Sequence, residues 1–145
     1  MLEVRAYRTS MTVERSDLTV DVSSLDLPEG VTREQVVRMF KNRHFFRSVV
    51  ACWAIYDAKG EDYTRGLGDL DRSDNFKKAA ENNGITPYQA WGVYFYKHVS
   101  AVWRFLKDGK LASEPIEQRL YDVINYAILL LLLIETEAEQ KGPGL

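Results

Sequence analysis

Glu114, Gln118, Asp122 and Asn125 recur at three- and four-residue spacing, and the chemistry of this chain is concentrated there. On a helix turning about 100° per residue they fall within a sector about 80° wide. Leu129 continues the same stripe. A carboxylate and an amide in line with a leucine do not make a solvated face. Asp122 and Asn125 also stand directly before Tyr126-Ala127-Ile128-Leu129, where the helix turns apolar all round. Their position predicts burial, and a buried polar group needs a partner. Two readings stay open: a ligand or metal site, or an interhelical hydrogen-bond network that fixes helix register.

On the preceding helical segment Lys97, Ser100 and Arg104 share a stripe, opposite Phe95, Val102 and Leu106. Lysine and arginine one or two turns apart can hold phosphate oxygens, although the same spacing also describes a solvated face. His98 lies beside the aromatic side and reads as a packed histidine, because no second histidine or cysteine sits at ligand spacing. Asp62, Asp69, Asp71 and Asp74 could contribute to an oxygen-rich Mg²⁺ site, or simply stand in a solvated loop. Gly66-Leu67-Gly68 is no phosphate loop, since it lacks the strand before it and the Gly-Lys-Ser/Thr ending.

Helices must position these groups. Thr32 predicts an N-cap for one helix running to about Ala58 and ended by Lys59-Gly60. An acidic, glycine-rich loop is expected from Gly60 to Asp71, then a short helix from Ser73 to Asn83 closed by Gly84. Thr86-Pro87-Tyr88-Gln89 is the clearest start signal, a capping box with proline at the first helical position. That helix should end at Asp108-Gly109. A last helix is expected from a Ser113 cap, with Glu114 and Pro115 in its first turn, to about Gln140. Alternation in residues 2–25, with Glu14-Arg15-Ser16-Asp17 as the turn, suggests a short β-hairpin or an extended arm. Pro28-Glu29-Gly30 marks its boundary. The expected organisation is an arm over 1–30, a helical domain over 31–140 and a tail over 141–145, in a mainly α fold of four to five helices.

Composition agrees with one domain. The chain has 145 residues, 46% of them hydrophobic, a formal charge of -2 and a pI near 5.7. That apolar supply is enough to offset chain entropy, and no global positive field argues for nucleic acid. The stretch from Tyr126 to Ile134 is far short of the roughly twenty residues that span a bilayer. It reads as a buried helix segment or a subunit interface. Met1 to Arg8 holds three charges and does not read as a signal peptide. The lone Cys52, in an apolar run, reads as a buried thiol in a reducing compartment, which points to the cytoplasm.

Several short pieces occur in a telling order: Lys59-Gly60-Glu61-Asp62-Tyr63, Asn75-Phe76, Lys97-His98, Glu114-Pro115-Ile116-Glu117 and Asp122-Val123-Ile124-Asn125-Tyr126-Ala127. Together, over about residues 40–135, they resemble the nucleotide modification associated domain family. These are small, often phage-encoded helical proteins, similar to the MazG-like all-α nucleoside triphosphate pyrophosphohydrolases. The resemblance implies a MazG-like helical bundle, a homo-oligomer (dimer or higher), and Mg²⁺ held by acidic residues. It implies a nucleotide ligand near Lys59, Tyr63, Asn75, Phe76, Lys97, Asn125 and Tyr126, to which the basic stripe adds Arg104, with Asp62, Glu114 and Asp122 as metal ligands. The family pattern of Glu-x-x-Glu followed by Glu-x-x-Asp is incomplete here: Arg119 stands three residues before Asp122, and Phe45 to Ala58 offers only Asp57. Three functions follow: Mg²⁺-dependent cleavage of a nucleotide, non-catalytic binding of one (such as a cyclic nucleotide immune signal), or structural oligomerisation.

Overall fold

A computed structural model describes residues 2–6, 9–13, 25–64 and 72–142. Among them the chain is mainly helical and divides into two compact units, Met1–Phe46 and Arg47–Leu145.

In the first unit β1 (Leu2–Ala6) pairs antiparallel with β2 (Thr9–Val13). The register sets Leu2 opposite Val13 and Val4 opposite Met11. The pairing therefore falls earlier than the alternation suggested, and the expected turn at residues 14–17 lies outside the described residues. α1 (Arg33–Lys41) starts from the Thr32 capping box: Gln35 N–H donates to Thr32 Oγ1 at 3.2 Å, and Thr32 N–H donates to Gln35 Oε1 at 2.7 Å.

The single helix expected from Thr32 to Ala58 is two helices, because Asn42 interrupts it. Asn42 adopts φ -79°, ψ 96°, and its Oδ1 accepts from the Phe45 N–H at 3.0 Å. Its short side chain offers the backbone an alternative to the helical ladder and caps the next helix. α2 (Arg43–Thr64) then runs through Lys59-Gly60 and converts the first residues of the expected loop into helix. A glycine stop needs the left-handed conformation, which Gly84 and Gly109 adopt and Gly60 does not.

The second unit holds the rest of α2 with α3 (Asp74–Asn83), α4 (Pro87–Asp108) and α5 (Ile116–Lys141). α4 begins at the Thr86 capping box. Thr86→Ala is expected to lower stability by about 1 kcal/mol, read as a lower urea midpoint. An unchanged midpoint would show that α4 is held by packing alone. α5 begins later than expected. Pro115 occupies its N-cap at φ -60°, ψ 147°, and a residue before proline is driven out of the α region. Ser113 and Glu114 therefore precede the helix, and Glu114 leaves the stripe that Asp122 and Asn125 share.

The core forms where α3, α4 and α5 pack. Phe76, Ala80 and Ala90 are buried together, with Ala79, Trp91, Tyr126 and Leu129 against them. Alanines at 80 and 90 permit close approach of α3 and α4. The Trp91 indole donates to the Tyr126 carbonyl at 2.8 Å, which joins α4 to α5. Leu133, fully buried, anchors the far end of α5. No helix among the described residues is long and apolar enough to cross a membrane.

Candidate functional site

All four helices of the second unit contribute to one cleft, whose open space, mouth included, is ≈ 670 Å³. α2 supplies Tyr56, Lys59 and Gly60, and Arg72 enters just ahead of α3. α3 adds Asn75 and Phe76, while α4 adds Lys97 and His98. α5 closes the cleft with Asp122, Asn125, Tyr126 and Leu129.

An ion-pair network crosses it. Lys59 Nζ donates to Asp122 Oδ1 at 2.7 Å, linking α2 to α5. The carboxylate is almost wholly buried, whereas the Lys59 side chain is 50% exposed. Asp122 Oδ2 lies 3.3 Å from His98 Nδ1. The same ring nitrogen is hydrogen-bonded to Arg119 Nη1 at 3.2 Å, and Arg119 Nη2 pairs with Glu114. The His98 ring packs against Tyr126, with centroids 4.8 Å apart.

Asn125 is fixed from behind. Its Nδ2 donates to the Cys52 carbonyl at 3.0 Å, while Oδ1, like His98 Nε2, is buried without a hydrogen-bond partner among the described residues. Arg72 donates to the Tyr56 carbonyl and stands 3.9 Å over the Tyr56 ring. Its guanidinium occupies the place that a Cβ on Gly60 would take. Three cations and one carboxylate thus face the cleft among the described residues, beside three aromatic rings.

Lys59, Asn75, Phe76, Lys97, Asp122, Asn125 and Tyr126 converge on this cleft. Arg104, exposed further along α4, does not line it, and Glu114 is engaged by Arg119. Asp62 and Tyr63 fall in the last turn of α2, but their side chains, like Asp69 and Asp71, lie outside the described residues. Asp74 pairs with Lys78 at 2.5 Å on the outside of α3. Among the described residues no three His, Cys, Asp or Glu come together to hold a metal. Both oxygens of Asp122 already face Lys59 and His98, so the described residues do not form a Mg²⁺ cage as they stand.

Tyr56, Arg72 and His98 complete the site without having been singled out for it. His98 carries one legible signal, its place beside Lys97 on a face that meets Asp122. Arg72 carries none, because its neighbours come from a helix more than ten residues upstream.

Burial lowers the His98 pKa below its ordinary 6.5; Asp122 opposes the shift, while Lys97, Arg119 and Lys59 reinforce it. His98 is therefore neutral at pH 7. A depressed histidine contributes stability that is present above about pH 6.5 and lost as pH falls through the lowered folded value. The melting temperature should thus fall between pH 7 and 5 more steeply in the native chain than in His98→Gln. Parallel profiles would count against it. Cys52 is buried and its thiol is pushed up by desolvation, in keeping with an inert core thiol.

No protein-family model, no curated protein and no solved structure matches this chain.

Proposed function

We propose that the cleft of the second unit binds a nucleotide or nucleotide-like molecule. One observation carries this reading: Lys59, Arg72 and Lys97 converge on a single concavity walled by Tyr56, Phe76 and Tyr126. Cations suit phosphoryl oxygens, and the aromatic rings suit a planar base. Magnesium, where it takes part, arrives with the ligand's phosphates, since this ion usually keeps several waters and few protein ligands. Holding the nucleotide and cleaving it both fit this site; the resemblance to MazG-like pyrophosphohydrolases supports cleavage, and the incomplete acidic pattern supports binding alone.

The test is a panel of nucleoside mono-, di- and triphosphates and cyclic nucleotides, with and without Mg²⁺, followed by calorimetry and by product analysis. At least one should bind, and free ligand at 100 times its Kd should stabilise the fold by about 2.7 kcal/mol. No heat from any of them at millimolar concentration would overturn the reading.

A second reading, assembly through α5, has its own support. Leu120, Ile124, Ile128, Leu131 and Ile134 stand 42–62% exposed at three- and four-residue intervals along one face. Such a long apolar stripe marks an interaction surface, and a second copy would bring a helix of equal length. Ile128→Glu is expected to shift the mass measured by light scattering toward the monomer. A monomeric native chain would remove this reading.

A further inference from the structure

Among the described residues, His98 and Asn125 of the cleft wall each carry a buried polar atom without a hydrogen-bond partner, and each side chain is held from behind. Arginine can only donate, so in the Arg119 hydrogen bond His98 Nδ1 accepts and Nε2 carries the proton of the neutral ring, whereas a hydrogen bond from Nδ1 to Asp122 Oδ2, 3.3 Å away, would call for the other tautomer. A backbone carbonyl can only accept, so the Cys52 carbonyl holds the amide of Asn125 by its nitrogen and leaves Oδ1 as an acceptor. The amide orientation of Asn125 thus follows from its partner, and the tautomer of His98 from which neighbour engages Nδ1. In the tautomer set by Arg119, His98 on α4 offers a donor, and Asn125 on α5, one residue before Tyr126, offers an acceptor.

Both residues are over 90% buried, at 3% and 6% exposure. Leaving such groups unpaired is costly, so natural interiors rarely do it without a reason. Neither is an ion, and neither suits a phosphate as the cations nearby do. A donor and an acceptor beside an aromatic ring match the edge of a planar heterocycle that carries an acceptor next to a donor.

We propose that His98 Nε2 and Asn125 Oδ1 read the hydrogen-bonding edge of a nucleobase, while Lys59, Arg72 and Lys97 hold its phosphate. This rests on the nucleotide reading above and goes beyond it, because it makes the base a determinant of specificity. Each matched hydrogen bond to a buried group contributes about 10- to 100-fold in affinity. A site of this kind rejects analogues that leave its polar atoms unpaired far better than an apolar pocket rejects a change of size.

The experiment compares the tightest-binding nucleoside monophosphate with ribose 5-phosphate, which keeps the phosphate and sugar and lacks the base. The native chain should prefer the nucleotide by at least about 100-fold. In His98→Leu that ratio should fall below about 10, and in His98→Gln, whose amide nitrogen reproduces the Nε2 donor, most of it should return. A merely structural role would weaken both ligands together and leave the ratio unchanged. An unchanged ratio in folded His98→Leu and Asn125→Leu overturns the inference.

Should those variants fail to fold, the native chain decides. Adenosine and inosine monophosphates exchange donor for acceptor on the same edge, and they should differ by at least about 10-fold. Equal binding of the two overturns the inference. Equal binding of nucleotide and ribose 5-phosphate likewise overturns it alone, leaving a phosphate site. No binding of either overturns the nucleotide reading itself.

Discussion

Phe76→Ala is expected to cost about 3–5 kcal/mol of unfolding free energy, measured by urea denaturation. Phe76 is 2% exposed and lies at the centre of the buried cluster, between Ala80 and Ala90. Its ring also meets Tyr94 at 6.0 Å and Tyr126 at 6.1 Å. Removing it opens a cavity that α3 and α4 cannot close, because Ala80 and Ala90 already allow them to approach. The same ring walls the cleft, so ligand affinity should fall in whatever fraction stays folded. A loss under about 1 kcal/mol would mean the cluster collapses to fill the space, far below the range seen for such truncations.

The second large effect is an asymmetry between the partners of one ion pair. Lys59→Met strands the Asp122 carboxylate, whose side chain is only 6% exposed, beside a neutral imidazole. Asp122→Asn instead strands Lys59, half of which already lies in water. Removing one partner of a fully buried pair costs about 3–5 kcal/mol; solvent at Lys59 reduces this to about 2–3 kcal/mol for Lys59→Met. Asp122→Asn should cost about 1 kcal/mol, since a neutral amide remains and no charge is left buried. Urea midpoints of the two variants check the order. If Asp122→Asn proves the costlier, the carboxylate holds more of the network together than its bond to Lys59.

The fold was legible wherever a residue acts on its own neighbours. The Thr32 and Thr86 capping boxes and the glycine stops at 84 and 109 are local, and they mark helix ends as expected. Asn42 and Pro115 are local too, yet each competes with a helical pattern around it. Apolar periodicity across Asn42 and the cap signal at Ser113 predict longer helices, and the backbone obeys Asn42 and Pro115 instead.

The candidate site was legible in part for a similar reason. Asp122 and Asn125 betray themselves because a carboxylate and an amide interrupt an apolar helix face. Lys59 and Lys97 were visible as charges at suitable places, but not as groups that share one cleft. Glu114 looked equivalent to Asp122 by spacing until the proline after it moved it off the helix. Arg72, by contrast, is an ordinary arginine in a polar stretch. Only its contact with Tyr56 and Gly60 of α2 turns it inward, and no spacing rule encodes a contact between elements.

Gly60 gives this architecture a remote control over its own electrostatic potential. The guanidinium of Arg72 rests where any side chain at position 60 would have to go. An alanine there displaces that guanidinium while every charged residue of the chain stays the same. The bare backbone at one turn of α2 is in that sense a docking notch, and the positive field above it is set by a residue that carries no charge.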